Sequence, residues 1–346
     1  MIESVLDLPQ LWQKPSFDGL LLCLQSLEIQ PKAWIRGTAS KQDKMQTGRR
    51  MNSHQHSQEI AIYLSSIIKS PLMWLESDEE REVVWDEACK RISERSGRAA
   101  MRTMTRCWPF PDIGDGTLEL SIREPAFTGD SLGHKTWGSS YLLALDLPRL
   151  ASGVISDLFK APTPPSVLEL GSGTGLLGIA AAATWQTRVV LSDLPDIVPN
   201  LLCNAEANSA AVEALGGSLV TGVLTWGSED EFDQDLFGTH HAYKIILAAD
   251  SLYDDVQPDL LYHAISQHLS LDADVAVVVM APQRDQATVG LTRKFRSLMA
   301  SGERPLECVE EGELDQHDDW GHDDDDGDEE CGGARTRCWW GVFRCK

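Results

Sequence analysis

The sequence predicts an α/β fold: a mostly parallel β-sheet wound with helices, closed by an antiparallel hairpin and preceded by a helical N-terminal region. Three observations carry this. From Ser166 onward, short β-rich runs alternate with apolar helical patterns. The first of those runs ends in a glycine-rich turn that opens a helix. A hydrophobic fraction of 42% over 346 residues is enough to build a sizeable core.

The elements follow in chain order. Phe17–Leu27 is apolar enough for a buried helix, and the polar stretch from Trp34 to Gln58 reads as a loop. Ile60, Tyr63, Leu64, Ile67 and Ile68 recur at helical spacing. Ser77 followed by Glu80 is a helix-start signal for the stripe Val83, Val84, Ala88 and Ile92, and Gly97 is a plausible stop. Cys107–Gly116, with two prolines and two glycines, reads as a linker. Leu118, Leu120 and Ile122 alternate like a strand; a loop over Pro125–Lys135 and a helix from Trp137 to Leu150 follow. Strands are then expected at Val167–Leu170, Arg188–Ser192, Leu219–Val223, Ile245–Ala249 and Val275–Met280, with helices such as Leu176–Ala183 and Leu201–Leu215 between them. Pro305–Glu310 and Thr336–Arg344 are expected to pair as the closing hairpin.

The charge is lopsided. Thirty basic residues stand against 53 acidic ones, a formal net charge of -23, which disfavours a nucleic-acid substrate and favours basic partners. Thirteen Asp or Glu and no Lys or Arg lie between Glu310 and Glu330, so a solvated, disordered excursion is expected there, without the spacing of an ordered Ca²⁺ loop. The eight cysteines form no CxxC pair, so neither a zinc site nor a redox dithiol is expected, and no metal is assigned. No signal peptide or membrane span is visible. A soluble protein with free thiols in a reducing compartment, the cytoplasm, is the expectation.

The turn Gly171-Ser172-Gly173-Thr174-Gly175 follows a strand and points a helix N-terminus at whatever binds there. Glu169 stands two residues before its first glycine. A carboxylate at that place would repel a pyrophosphate, which argues against a dinucleotide. It suits the cationic amino-acid end of S-adenosylmethionine, directly or through water. Asp193, about 20 residues on, ends the next strand and is suited to the ribose hydroxyls, with Leu194 able to pack on adenine. Asp193 as an ordinary helix cap is the alternative.

These residues match a known family. The chain resembles the seven-stranded protein-lysine methyltransferases of the methyltransferase 16 family. The resemblance rests on Lys135-Thr136-Trp137-Gly138-Ser139-Ser140, the turn at Gly171, Ser192-Asp193-Leu194-Pro195, Leu224-Thr225-Trp226-Gly227 and Ile246-Leu247-Ala248-Ala249-Asp250-Ser251-Leu252-Tyr253. The stretches Tyr63–Ile68, Pro71–Leu75 and Arg95–Arg98 are similar to a fungal branch acting on elongation factors 2 and 3, and Glu124-Pro125 and Asp130–Trp137 extend the similarity.

The resemblance implies a Rossmann-like, seven-stranded class I methyltransferase domain over 116–346, with an acidic loop at 310–334, behind a helical region over 1–115. It implies that Trp137 helps enclose the cofactor, that Gly171, Ser172 and Gly173 form the cofactor turn, that Asp193 binds ribose, that Trp226 lies beside adenine and that Ala249 touches the cofactor. Tryptophans offer flat apolar surface and a small residue lets a ligand approach closely, although core packing is an alternative for either tryptophan. The D-x-x-Y element Asp250–Tyr253 marks enzymes that methylate protein lysine. Asp250 is the expected orienting acid and Tyr253 part of the channel wall; Asp250 as a helix cap is an alternative that can coexist. A monomer with a protein substrate is expected. A small-molecule N- or O-methyltransferase and a non-catalytic cofactor-binding module remain open beside this reading, and an NAD-dependent dehydrogenase is disfavoured by Glu169.

Overall fold

The computed structural model describes residues 8–27, 59–93, 103–113, 116–126, 132–317 and 335–345. The chain divides into two compact units, residues 1–104 with 126–129 and residues 105–125 with 130–346.

The first unit is helical. α1 (Phe17–Ser26) is capped by Ser16, whose hydroxyl accepts from the Gly19 N–H. A second helix, α2, spans 59–69. α3 (Asp78–Ser93) starts as its sequence signal predicts: the Glu80 N–H donates to Ser77 Oγ at 3.1 Å. Glu80 reaches back to the Glu76 N–H rather than to that of Ser77. Leu20, Leu24, Leu64, Ile67 and Val84 are wholly buried and form this unit's core. The expected loop at 34–58 and the Gly97 stop lie outside the described residues.

The second unit opens on β1 (Met104–Ile113) and β2 (Gly116–Glu124), which form a two-stranded sheet. The expected linker at Cys107–Gly116 is therefore mostly strand. The prolines misled because Pro109 and Pro111 fall on the half-buried or exposed side, where edge strands tolerate them. Arg106, Trp108 and Phe110 alternate on the buried side. Trp108 and Phe110 pack on Tyr141, with ring centres 4.9 and 5.4 Å away.

The larger sheet has seven strands: β3 (Val167–Leu170), β4 (Arg188–Asp193), β5 (Ser218–Val223), β6 (Ile245–Ala249), β7 (Ala276–Gln283), β8 (Glu307–His317) and β9 (Arg335–Arg344). Their order is β5-β4-β3-β6-β7-β9-β8. The first five are parallel; β9 runs antiparallel to β7 and to β8. The chain leaves β3 for β4 and β5, then returns to β6 on the other side of β3. That reversal opens a crevice beyond the carboxyl ends of β3 and β6, where wound sheets bind ligands. β3 and β6 are buried along their whole length, as strands covered by helices on both faces must be.

The intervening helices are α4 (Gly138–Ser152), α5 (Leu176–Trp185), α6 (Val198–Ala214), a single turn α7 (Gln234–Phe237), α8 (Gln257–His268) and α9 (Gln286–Ser301). α9 is additional to the helices expected from sequence. Its signals were a capping box from Asp285 to Thr288 and a buried stripe of Leu291, Phe295 and Met299.

β8 also runs further than expected, through the first part of the acidic stretch. Cations meet the acids there: Glu310 pairs with Arg149 at 2.5 Å, Glu311 with Arg296 at 2.7 Å and Glu313 with Arg337 at 3.4 Å. The rest of the acidic stretch, 318–334, lies outside the described residues.

Three asparagines on one face of α6 fasten the small sheet to that helix. Asn200, Asn204 and Asn208 are four residues apart and each is buried. Asn204 Oδ1 accepts from the Arg123 N–H and its Nδ2 donates to the Arg123 carbonyl. Asn208 makes the same exchange with Ser121. These side chains satisfy the free edge of β2 as another strand would.

Candidate functional site

The crevice is built by the segments that follow β3, β4, β5 and β6, and by the approach to α4. After β3, Gly171, Gly173 and Gly175 take φ values of 67°, 58° and 87°, where glycine alone is at ease. Space matters as well as dihedrals. A Cβ on Gly171 would stand 3.3 Å from the Trp226 ring and 3.2 Å from Ser251 Oγ. One on Gly173 would stand 3.1 Å from the Gly133 carbonyl oxygen. The structure thus brings the Gly171 turn, Trp226 after β5, Ser251 after β6 and the loop before α4 to one place.

Ser172 serves the turn itself. Its N–H donates to the Ser192 carbonyl at 2.9 Å, and its hydroxyl accepts from the Ser192 N–H at 3.0 Å. It binds the end of β3 to that of β4. Asp193 lies at the edge of the crevice, accepting from the Gly173 N–H at 2.6 Å and the Leu194 N–H at 2.8 Å. Desolvation lifts its carboxyl above the usual aspartate range, against the pull of those two donors. Leu194 beside it is 48% exposed, an apolar surface open to a ligand.

Glu169 is buried beneath the turn. Its Oε2 accepts from the Gly178 N–H, in the first turn of α5, at 3.1 Å. Loss of water pushes its pKa up to about 8, although bonds from Ser172 and Gly178 pull it down. The carboxylate is thus set under a helix N-terminus, where a nearby cation would favour its charged form.

The approach to α4 is fixed by a buried ion cluster. Glu124 is wholly buried and accepts from Lys135 Nζ at 3.3 Å and the Thr136 N–H at 3.1 Å, with Arg106 Nε at 3.5 Å. Thr136 Oγ1 meets Thr174 Oγ1 at 2.9 Å, which joins this loop to the glycine turn. Trp137, the residue before α4, is thereby presented to the crevice, and its Nε1 donates to the Leu132 carbonyl. Sequence reasoning passed over Glu124 as a site support because its partners lie on two other segments, β1 and the approach to α4.

Ala249 ends β6 and is 9% exposed. Asp250 follows at φ 58°, in the left-handed region that a non-glycine residue enters at a cost. Its N–H donates to the Met280 carbonyl at 3.0 Å, and its Oδ1 accepts from Arg284 Nη2 at 3.2 Å. Asp250 lies seven residues before α8, so it does not cap that helix. Tyr253 is half-exposed, and its hydroxyl accepts from Gln257 Nε2 at 3.2 Å. Desolvation raises its phenol, and Asp193 and Asp254 act in the same direction.

Among the described residues no group of His, Cys, Asp or Glu is arranged to hold a metal ion. Among them, too, no helix is long and apolar enough to cross a membrane.

Comparison with known proteins agrees with this arrangement. A family model described as lysine methyltransferase matches residues 116–294. Protein-lysine N-methyltransferase rrg1 of Schizosaccharomyces pombe is 33% identical over 235 residues, covering 67% of this chain and 74% of that protein. Protein-lysine N-methyltransferase EFM2 of Saccharomyces cerevisiae is 31% identical over 254 residues, covering 68% of this chain and 56% of that protein. Among solved structures, a SAM-dependent methyltransferase from Agrobacterium tumefaciens aligns at a TM-score of 0.42 and 16% identity, covering 69% of this chain and 70% of that one. The family match spans the glycine turn, the ends of β4, β5 and β6 and the approach to α4, and the chain belongs to the lysine methyltransferase family of S-adenosylmethionine-dependent enzymes.

Proposed function

We propose that this chain transfers a methyl group to a lysine of a translation elongation factor, of the factor 2 or factor 3 type, and does so as a cytoplasmic monomer. The observation that carries the reading is Asp250. Its left-handed backbone and its pairing with Arg284 fix a carboxylate just beyond the end of β6, next to Ser251, which faces the Gly171 turn.

When bound, S-adenosylmethionine supplies a methyl on a sulfonium, which passes in line to a neutral lysine nitrogen as the C–S bond breaks and its electron pair stays on sulfur. The chain's own residues do the rest. Glu169, beneath the turn, would favour the cationic amino-acid end, Asp193 would accept from the ribose hydroxyls, and Leu194 with Trp226 would flank the adenine. Trp137 and Ala249 close the pocket around the sulfonium side. Asp250 orients the lysine amine and stabilises the cation that forms on its nitrogen. Tyr253, half-exposed at the rim, makes part of an aromatic wall that disfavours the ammonium form of the incoming lysine.

The acceptor class has two supports. The N-terminal stretches Tyr63–Ile68 and Pro71–Leu75 are similar to the fungal elongation-factor branch. A net charge of -23 also suits a basic protein surface and disfavours direct binding of nucleic acid. Elongation factors 2 and 3, purified from cells lacking the gene, are the test substrates. Label from tritiated S-adenosylmethionine entering either factor supports the proposal. Label entering only other proteins of the same cells contradicts the target while leaving the chemistry intact.

A further inference from the structure

Arg284 lies just beyond β7 and belongs to none of the sequence motifs. Its Nη2 donates to Asp250 Oδ1 at 3.2 Å. The carbon of its guanidinium stands 5.0 Å from the centre of the Trp137 ring. One side chain therefore ties together the end of β6, the end of β7 and the start of α4. A guanidinium can do both at once, since its edge donates to a carboxylate while its face lies on an aromatic ring. Asp250 is also gripped from its backbone by Met280 on β7, so β7 and the residue just beyond it supply two of its anchors.

We propose that Arg284 is a positioning residue for methyl transfer: it fixes the Asp250 carboxylate and the Trp137 ring, and it sets a permanent positive charge where the acceptor lysine arrives. The inference rests on the lysine reading of Asp250. Lysine reaches the crevice as an ammonium and must release a proton to solvent before its nitrogen lone pair can attack the methyl carbon. A lone carboxylate would hold the ammonium form and so slow the step. Arg284 offsets that charge, which lets the proton leave while Asp250 still accepts a hydrogen bond from the amine. The other ionisable groups around the crevice are Asp285 next to Arg284 and in electrostatic contact with it, Tyr253 and Asp254 on the loop after β6, Asp193 at the end of β4 with His134 near it, and Glu169 under the turn. Apart from His134 all of these are acids, so a fixed cation at Asp250 has a strong effect on the local balance.

The test compares the wild-type protein with R284Q and R284K. The acceptor is total protein extract from cells lacking the gene, and tritium is counted as methyl-lysine after acid hydrolysis, across about pH 6 to 10. In R284Q the midpoint of the rate–pH curve moves up by about one pH unit, and the rate at neutral pH falls about tenfold. R284K, which keeps the charge, stays close to the wild-type midpoint. Melting temperatures within a few degrees of one another establish that all three fold. An R284Q curve lowered equally at every pH, or an R284K midpoint displaced as far as that of R284Q, overturns the proposal. Absence of methyl-lysine with the wild-type protein is a separate outcome, visible before any variant is compared, and it overturns the lysine reading together with the role given to Arg284.

Discussion

Burial of Glu169 couples this protein's stability to pH. Its carboxyl titrates near 8 in the fold, against an ordinary value of 4.5. Below the ordinary value both folded and unfolded chains are protonated there, and the contribution is whole. As pH rises, the unfolded chain ionises first, so stability is lost from about pH 4.5 to about pH 8. Glu169→Gln keeps an acceptor for the Gly178 N–H and removes the titration. The expected outcome is a flatter melting temperature between pH 5 and 8 for this variant than for wild type, without cofactor; equal slopes would count against a buried, protonated Glu169. The role proposed for Asp250 is in the chemistry instead. Asp250→Ala should lower methyl transfer about 100-fold or more while cofactor affinity, measured by calorimetry, changes less than about threefold. Loss of binding with turnover retained would remove Asp250 from the acceptor side.

The elements show what the sequence can and cannot reveal. β3 and β6 stand within the bounds that their hydrophobic runs predict, because strands buried on both faces read as unbroken apolar segments. β1 was hidden by its prolines, which are legible as edge positions only once its partner β2 is known. β8 was cut short because an acidic run gives no strand signal until Arg149, Arg296 and Arg337 are brought beside it. The site divides the same way. Gly171, Asp193, Trp226 and Asp250 follow strands and announce themselves by position. Arg284 acts through partners distant in sequence and no local pattern marks it, while Glu124 stands in a stretch of family resemblance but its ion partners emerge only in the fold. The asparagines of α6 are a third case, since only the fold explains why three amides recur every four residues. Asn204 also donates to the Thr174 carbonyl in the glycine turn. Asn204→Ala removes the acceptor of the Arg123 N–H and a donor to the Thr174 carbonyl, while the Arg123 carbonyl keeps Asn200 Nδ2, and should cost about 1–3 kcal/mol in urea unfolding. A change within error would mean that β2 is held in some other way.

For the whole molecule, charge is the dominant property. A chain of net charge -23 attracts a basic acceptor surface at long range, and salt screens that attraction. Initial rates on a protein acceptor should fall several-fold as ionic strength rises from about 50 to about 500 mM, with little change in cofactor affinity. Rates independent of salt would point to a small or uncharged acceptor. The central claim is that the crevice beyond β3 and β6 delivers its methyl group to lysine in protein. It is tested most directly by amino-acid analysis of acid-hydrolysed protein, after wild-type enzyme and tritiated S-adenosylmethionine have acted on extract from cells lacking the gene. The account predicts tritium in methylated lysine; tritium confined to small metabolites, or to another methylated residue, would contradict it.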